Sequence, residues 1–193
     1  LFLGGMAVWG FSIGGMRLSP DVRQALWWER ASLSMIGLTG VAFYLFVCRY
    51  IGLRWSWGGY LAVGFLVVTV VVAPTGLLVE GMAQDVYGNA PVWGLLFPVW
   101  VAANYLIVIT SVLYLEKARR AAVTYEARNR YLYFIIGANL CLIGAATDAI
   151  SALGVGLYPM GILANIAFST ITAVAILQYR LLDIRVTLRK GAV

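Results

Sequence analysis

Residues 31–48 read ASLSMIGLTGVAFYLFVC, with no charged side chain from Ala31 to Cys48. A helix over this stretch rises about 27 Å, close to the hydrocarbon thickness of a bilayer, about 30 Å. Five more apolar runs repeat the pattern on either side, over about Leu1–Met16, Tyr60–Val79, Val92–Leu115, Tyr131–Ile150 and Tyr158–Leu177. None shows the ten-residue alternation of an outer-membrane barrel strand. The chain of 193 residues is 62% hydrophobic and 11% charged, against about 45–50% and about 25% in soluble domains. A single soluble core could not bury so much apolar surface. The expected fold is therefore all-α, a polytopic membrane helix bundle over residues 1–177 followed by a juxtamembrane helix over 178–193. Leu1 opens in mid-hydrophobic run, so a seventh span is expected before it.

Helix-end chemistry refines the bounds. Ser19-Pro20-Asp21 offers a capping serine, a proline at the first helical position and an early carboxylate. The second helix should thus start at Pro20, with Trp27, Trp28, Glu29 and Arg30 at the membrane surface. Asn89-Ala90-Pro91 reads as a similar start for the fourth span, and Tyr158-Pro159 for the sixth. Pro74 and Pro98 fall inside spans, where proline bends a helix. Gly10 and Gly14 form a GxxxG pair, a signature of close helix packing.

Basic residues orient the bundle. Alternate connections and the exit segment hold Arg49, Arg54, Lys117, Arg119, Arg120, Arg128, Arg130, Arg180, Arg185, Arg189 and Lys190. The opposite side holds Arg17, Arg23 and Arg30, together with Glu80 and Asp85. Eleven against three is a strong positive-inside bias. It implies a multi-pass protein of the plasma (inner) membrane with a cytoplasmic C-terminus.

Several chemistries are excluded. The chain has no histidine, which removes the commonest haem ligand, the histidine triads and the H-E-x-x-H zinc motif. Lys117 and Lys190 stand in polar stretches, unsuited to a retinal Schiff base. Cys48 and Cys141 lie in separate apolar runs and read as small hydrophobes rather than metal ligands. No P-loop or dinucleotide fingerprint occurs, so no cofactor, metal, nucleic acid or catalytic residue is expected within the segment.

The candidates for sensing are polar residues within spans: Asn104, Asn139, Thr147, Asp148 and Asn165, with Thr170 and Thr172. Such groups are costly in hydrocarbon and turn toward the bundle interior. They either wall a small-molecule or proton-sensing pocket between helices four to six, or simply hydrogen-bond neighbouring helices. Asp148, read as the one carboxylate within a span, lies near the outer end of its helix, where it is either functional or merely wetted. Trp9, Trp27, Trp28, Trp55, Trp57, Trp93 and Trp100 read mostly as an interfacial belt. The run Glu116-Lys117-Ala118-Arg119-Arg120 anchors topology or binds anionic headgroups.

The exit segment runs from Ile162 to Lys190 without glycine or proline. Leu177, Leu181, Ile184 and Leu188 recur at heptad spacing, the seam of a dimeric coiled coil or of an amphipathic juxtamembrane helix.

Tyr158-Pro159-Met160-Gly161, followed by Ala173-Val174-Ala175-Ile176-Leu177-Gln178-Tyr179-Arg180-Leu181-Leu182-Asp183-Ile184, resembles the last helix of the seven-helix N-terminal region of bacterial membrane histidine kinases. Trp28-Glu29-Arg30 and the loop with Gly88 and Pro91 fit the same resemblance. It implies seven helices, an outside N-terminus, a cytoplasmic C-terminus and a downstream PAS, GAF, kinase or cyclase-type output domain. The function expected on this resemblance is a membrane sensor domain, dimeric through its exit helix, that relays a stimulus to that output domain. An accessory subunit of a larger membrane complex is the rival reading. A transporter is weaker, because the spans lack paired interrupted helices and an internal repeat.

Overall fold

The computed structural model describes residues 2–54, 56–85, 88–152 and 158–179. They form α1 (Phe2–Leu18), α2 (Val22–Tyr50), α3 (Trp57–Val72), β1 (Val79–Asp85), β2 (Gly88–Trp93), α4 (Phe97–Ala121), α5 (Tyr125–Ala152) and α6 (Gly161–Tyr179). Three stretches, Val22–Tyr50, Phe97–Ala121 and Tyr125–Asp148, are long and apolar enough to cross a membrane, while Trp57–Val72 and Gly161–Val174 are shorter apolar helices. Large aliphatic side chains such as Val67, Val71, Leu106, Leu113, Ile143 and Ile166 are exposed on the bundle. Helices that are apolar on their outer faces as well as inside belong in lipid. The protein is a membrane helix bundle.

α2 is the central helix, packed on α1, α3, α4 and the hairpin, while α5 packs on α4 and α6. One interior cluster lies against the hairpin and joins Leu33, Ala73, Leu78, Val79 and Trp100. Another lies deeper and toward the other end, where the Phe2 ring meets Phe43 at 5.7 Å, Phe46 at 5.3 Å and Phe168 at 5.9 Å.

Local chemistry explains the helix ends. α2 stops where Gly52 takes a φ of +75°. There Leu53 N donates to Cys48 O (2.8 Å) and Gly52 N to Arg49 O (3.2 Å), the paired bonds that satisfy the last carbonyls of a helix around a left-handed glycine. Its start departs from the expected one. Asp21, not Ser19, is the cap, its Oδ1 accepting from Arg23 N at 3.2 Å. The Ser19 hydroxyl instead turns back to donate to Gly15 O at 2.6 Å.

The connection between α3 and α4 differs more. β1 and β2 pair antiparallel, with Val79 opposite Trp93 and Asp85 opposite Gly88. Asn89-Ala90-Pro91 is therefore strand rather than helix start. Pro91 lacks an N–H, which a two-stranded hairpin tolerates because each strand has a free edge. Pro74 lies just past the last residue of α3, and Pro98 sits in the first turn of α4. Neither bends a span; both occupy ends where a missing amide donor costs little. Around Gly10 and Gly14 nothing comes within 4 Å of an added Cβ, so the GxxxG pair is not a packing seam among the described residues.

Candidate functional site

The hairpin end gathers the polar groups. The hairpin docks on α1 through Asn89, whose Nδ2 donates to Ser19 O (2.8 Å) and Met16 O (3.2 Å). These carbonyls close α1 and would otherwise lack partners. Gly88 permits the approach: its φ is +100°, and a Cβ there would stand 2.9 Å from Arg17 O.

Beneath this lid lies Glu29, only 3% exposed. Glu29, expected at the membrane surface beside Trp27, Trp28 and Arg30, is turned into the protein interior. It shares the inward stripe of α2 with Ala25, Ser32 and Leu33, while Trp27 on the same turn is exposed. Glu29 lies within electrostatic reach of Arg17 on α1 and of Asp148 on α5. Among the described residues, Glu29 Oε2, Arg17 Nη1 and Ser32 Oγ are buried without a hydrogen-bond partner. Opposite charges held near each other but incompletely satisfied are a costly arrangement. Two carboxylates and a guanidinium, carried by α2, α5 and α1, therefore lie within electrostatic reach of one another without an ion pair among them, and Asp148 is not the one acidic residue within the spans.

Asp148 has a second role. Its Oδ1 accepts from Gly161 N at 2.9 Å, and Thr147 Oγ1 accepts from Met160 N at 2.9 Å while donating to Gly144 O at 2.6 Å. The first amides of a helix have no partner inside it. The end of α5 thus supplies the cap that α6 lacks in its own sequence. Below the cap the two helices are pressed together by small residues. A Cβ on Gly161 would collide with the Asp148 carboxylate, one on Gly144 with Ala164, and one on Gly137 with the Phe168 ring.

The other polar candidates scatter. Asn165 Nδ2 donates to Met6 O at 3.2 Å, tying α6 to α1. Asn104 Oδ1 faces Gly40 of α2 without a partner among the described residues. Asn139 is exposed and bonds its own helix, donating to Ile135 O at 2.8 Å, as Thr170 does to Ile166 O at 2.9 Å. The structure therefore joins Thr147 and Asp148 and keeps Asn139 outside the interior. Trp100, read as part of an interfacial belt, lies inside, its Nε1 donating to Thr69 Oγ1 at 2.9 Å. Among the described residues no three His, Cys, Asp or Glu side chains converge as a metal site. The side chain of Leu177, with Leu181, Ile184 and Leu188, lies outside the described residues, so the heptad seam has no structural account.

Against this geometry, residues 1–185 match the family model described as the N-terminal 7TM region of histidine kinase. The chain belongs to this family. The match spans the whole helix bundle, and the matched family describes a 7TM region rather than a catalytic domain. Among curated proteins and among solved structures, none matches the chain.

Proposed function

We propose that this 7TM region senses a stimulus at its hairpin end and relays it through α6 to a cytoplasmic output domain. The carrying observation is the cap formed by Thr147 and Asp148 on the first amides of α6. A stimulus that changes the charge or position of Asp148 acts directly on the last helix through its bond to Gly161 N. Arg17 and Glu29 extend the sensing region beyond helices four to six, because both carboxylates feel the same guanidinium. A stimulus works only if it favours one helix arrangement over another. Three partly satisfied ionic groups in a lipid-embedded interior provide that difference for protons or small polar ligands.

In this reading the hairpin faces outward and the opposite end faces the cytoplasm, as Arg49 and Arg54 around the α2–α3 connection and the basic residues in the adjoining ends of α4 and α5 favour. The seam of Leu177, Leu181, Ile184 and Leu188 then pairs two copies and passes rotation of α6 to the output domain. Asp148→Asn tests the reading in the full-length kinase, since the amide keeps an acceptor for Gly161 N but loses the charge. Output, or its pH dependence, should change at normal expression. Wild-type output across a pH series would remove Asp148 from the mechanism.

A further inference from the structure

Toward the end of the bundle away from the hairpin, a crevice of about 590 Å³ follows the second half of α2. Leu38, Ala42, Leu45 and Arg49 form its back wall, one helical face rising about 16 Å. Leu3 of α1 and Leu66 of α3 flank it. The crevice is apolar along its length and charged at one end only, where Arg49 is exposed beside Tyr50.

Two buried donors on α5 and α6 lack acceptors among the described residues, one of them in the crevice. Thr172 of α6 lines the crevice, is 2% exposed, and its Oγ1 has no partner among the described residues. Arg130 of α5 has a buried Nε without a partner among the described residues, and its charge acts on the Tyr50 phenol. Arg49 thus lines the mouth of a long apolar slot beside Tyr50, and the Arg130 guanidinium lies within electrostatic reach of the same phenol. A soluble ligand would need polar groups along the slot, and an apolar helix would leave both guanidinium groups without an anion. An amphiphile with one negative head and a hydrocarbon tail satisfies all of these features, because guanidinium forks bind phosphate and the slot takes the tail. We propose that the crevice binds one acyl chain of an anionic phospholipid from the bilayer, with the phosphate held by Arg49 and Arg130 beside Tyr50 and an ester carbonyl accepting from Thr172. The site is separate from the hairpin-end cluster and does not depend on the sensing role proposed for that cluster.

The test is electron spin resonance of the purified protein in phosphatidylcholine bilayers carrying trace spin-labelled phosphatidylglycerol or spin-labelled phosphatidylcholine. The protein should immobilise phosphatidylglycerol in preference to phosphatidylcholine. Arg49→Gln should cut that preference about fivefold, the scale set by one basic residue near an anionic surface. Ala42→Phe, which fills the slot, should abolish it. Arg54→Gln, a basic residue at the same end but outside the crevice, should leave it unchanged. Arg49 is exposed, so its variant decides the matter if Ala42→Phe fails to fold by size exclusion. Equal immobilisation of the two lipids, or an equal loss in Arg54→Gln, would overturn the site. So would a photo-crosslinker at position 42 that captures a protein helix rather than lipid.

Discussion

Gly161→Ala separates the cap on α6 from ordinary helix propensity. Alanine in a helix is favoured over glycine by up to about 1 kcal/mol, so the substitution should stabilise α6 if nothing else changed. Here the added Cβ would collide with the Asp148 carboxylate, which must swing away and release Gly161 N from its 2.9 Å bond. Losing a side-chain cap costs about 0.5–2 kcal/mol. Removing a carboxylate from the positive end of the helix costs about 0.3–1 kcal/mol more. The losses outweigh the gain, and the expected net effect is a destabilisation of about 1 kcal/mol. Gly14→Ala is the matched control, since nothing lies within 4 Å of its added Cβ; it should stabilise by about 0.5–1 kcal/mol. Reversible unfolding in mixed micelles, with hydrogen exchange at the Gly161 amide, measures both. If Gly161→Ala stabilised as much as Gly14→Ala and left that amide protected, Asp148 would not be the cap.

Two further outcomes follow from the same geometry. Arg17→Gln and Glu29→Gln should be non-additive in a double-mutant cycle by more than about 0.5 kcal/mol, as groups within one ionic cluster are; additivity would dissolve the cluster. In sealed vesicles, cysteines replacing Lys117 and Arg128 should react from the cytoplasmic side and one replacing Asp85 from the outer side, whereas labelling of position 85 only from the cytoplasm would invert the orientation.

The helices were legible because each is an uninterrupted apolar run between polar or proline-bearing connections. The hairpin was not. Val92 and Trp93 merge with the apolar run that follows, and Pro91 has the signature of a helix start although Gly88 and Asn89 before it are residue types favoured in turns. The apolar run of the third span likewise continues through Pro74 to Val79, whereas the helix ends at Val72. Such errors arise because hydropathy registers burial in lipid or protein alike and does not distinguish a strand tucked against helices from another turn of helix.

The site was half legible. Asp148 stood out as a carboxylate in an apolar run, but its partner Gly161 belongs to another helix, and no periodicity links the two. Glu29 was missed for a different reason. It stands among Trp27, Trp28 and Arg30, a group that reads as interfacial. The stripe of Ala25, Glu29, Ser32 and Leu33, at steps of four, three and one, carried the signal that it turns inward. Asn139 shows the converse. Its polarity suggested an interior position, yet its amide is satisfied by the carbonyl four residues back and demands no neighbouring helix.

The central claim is that α6 passes movement at the hairpin end into an output domain as a continuous rotating helix. Inserting residues between Asp183 and Ile184 in the full-length protein tests it most directly. One residue turns everything downstream by about 100°, whereas seven complete nearly two turns and restore the seam. Stimulus-dependent output should be locked or inverted by the single insertion and largely kept by the insertion of seven. Equal effects of the two insertions would contradict the relay and leave the segment a passive tether.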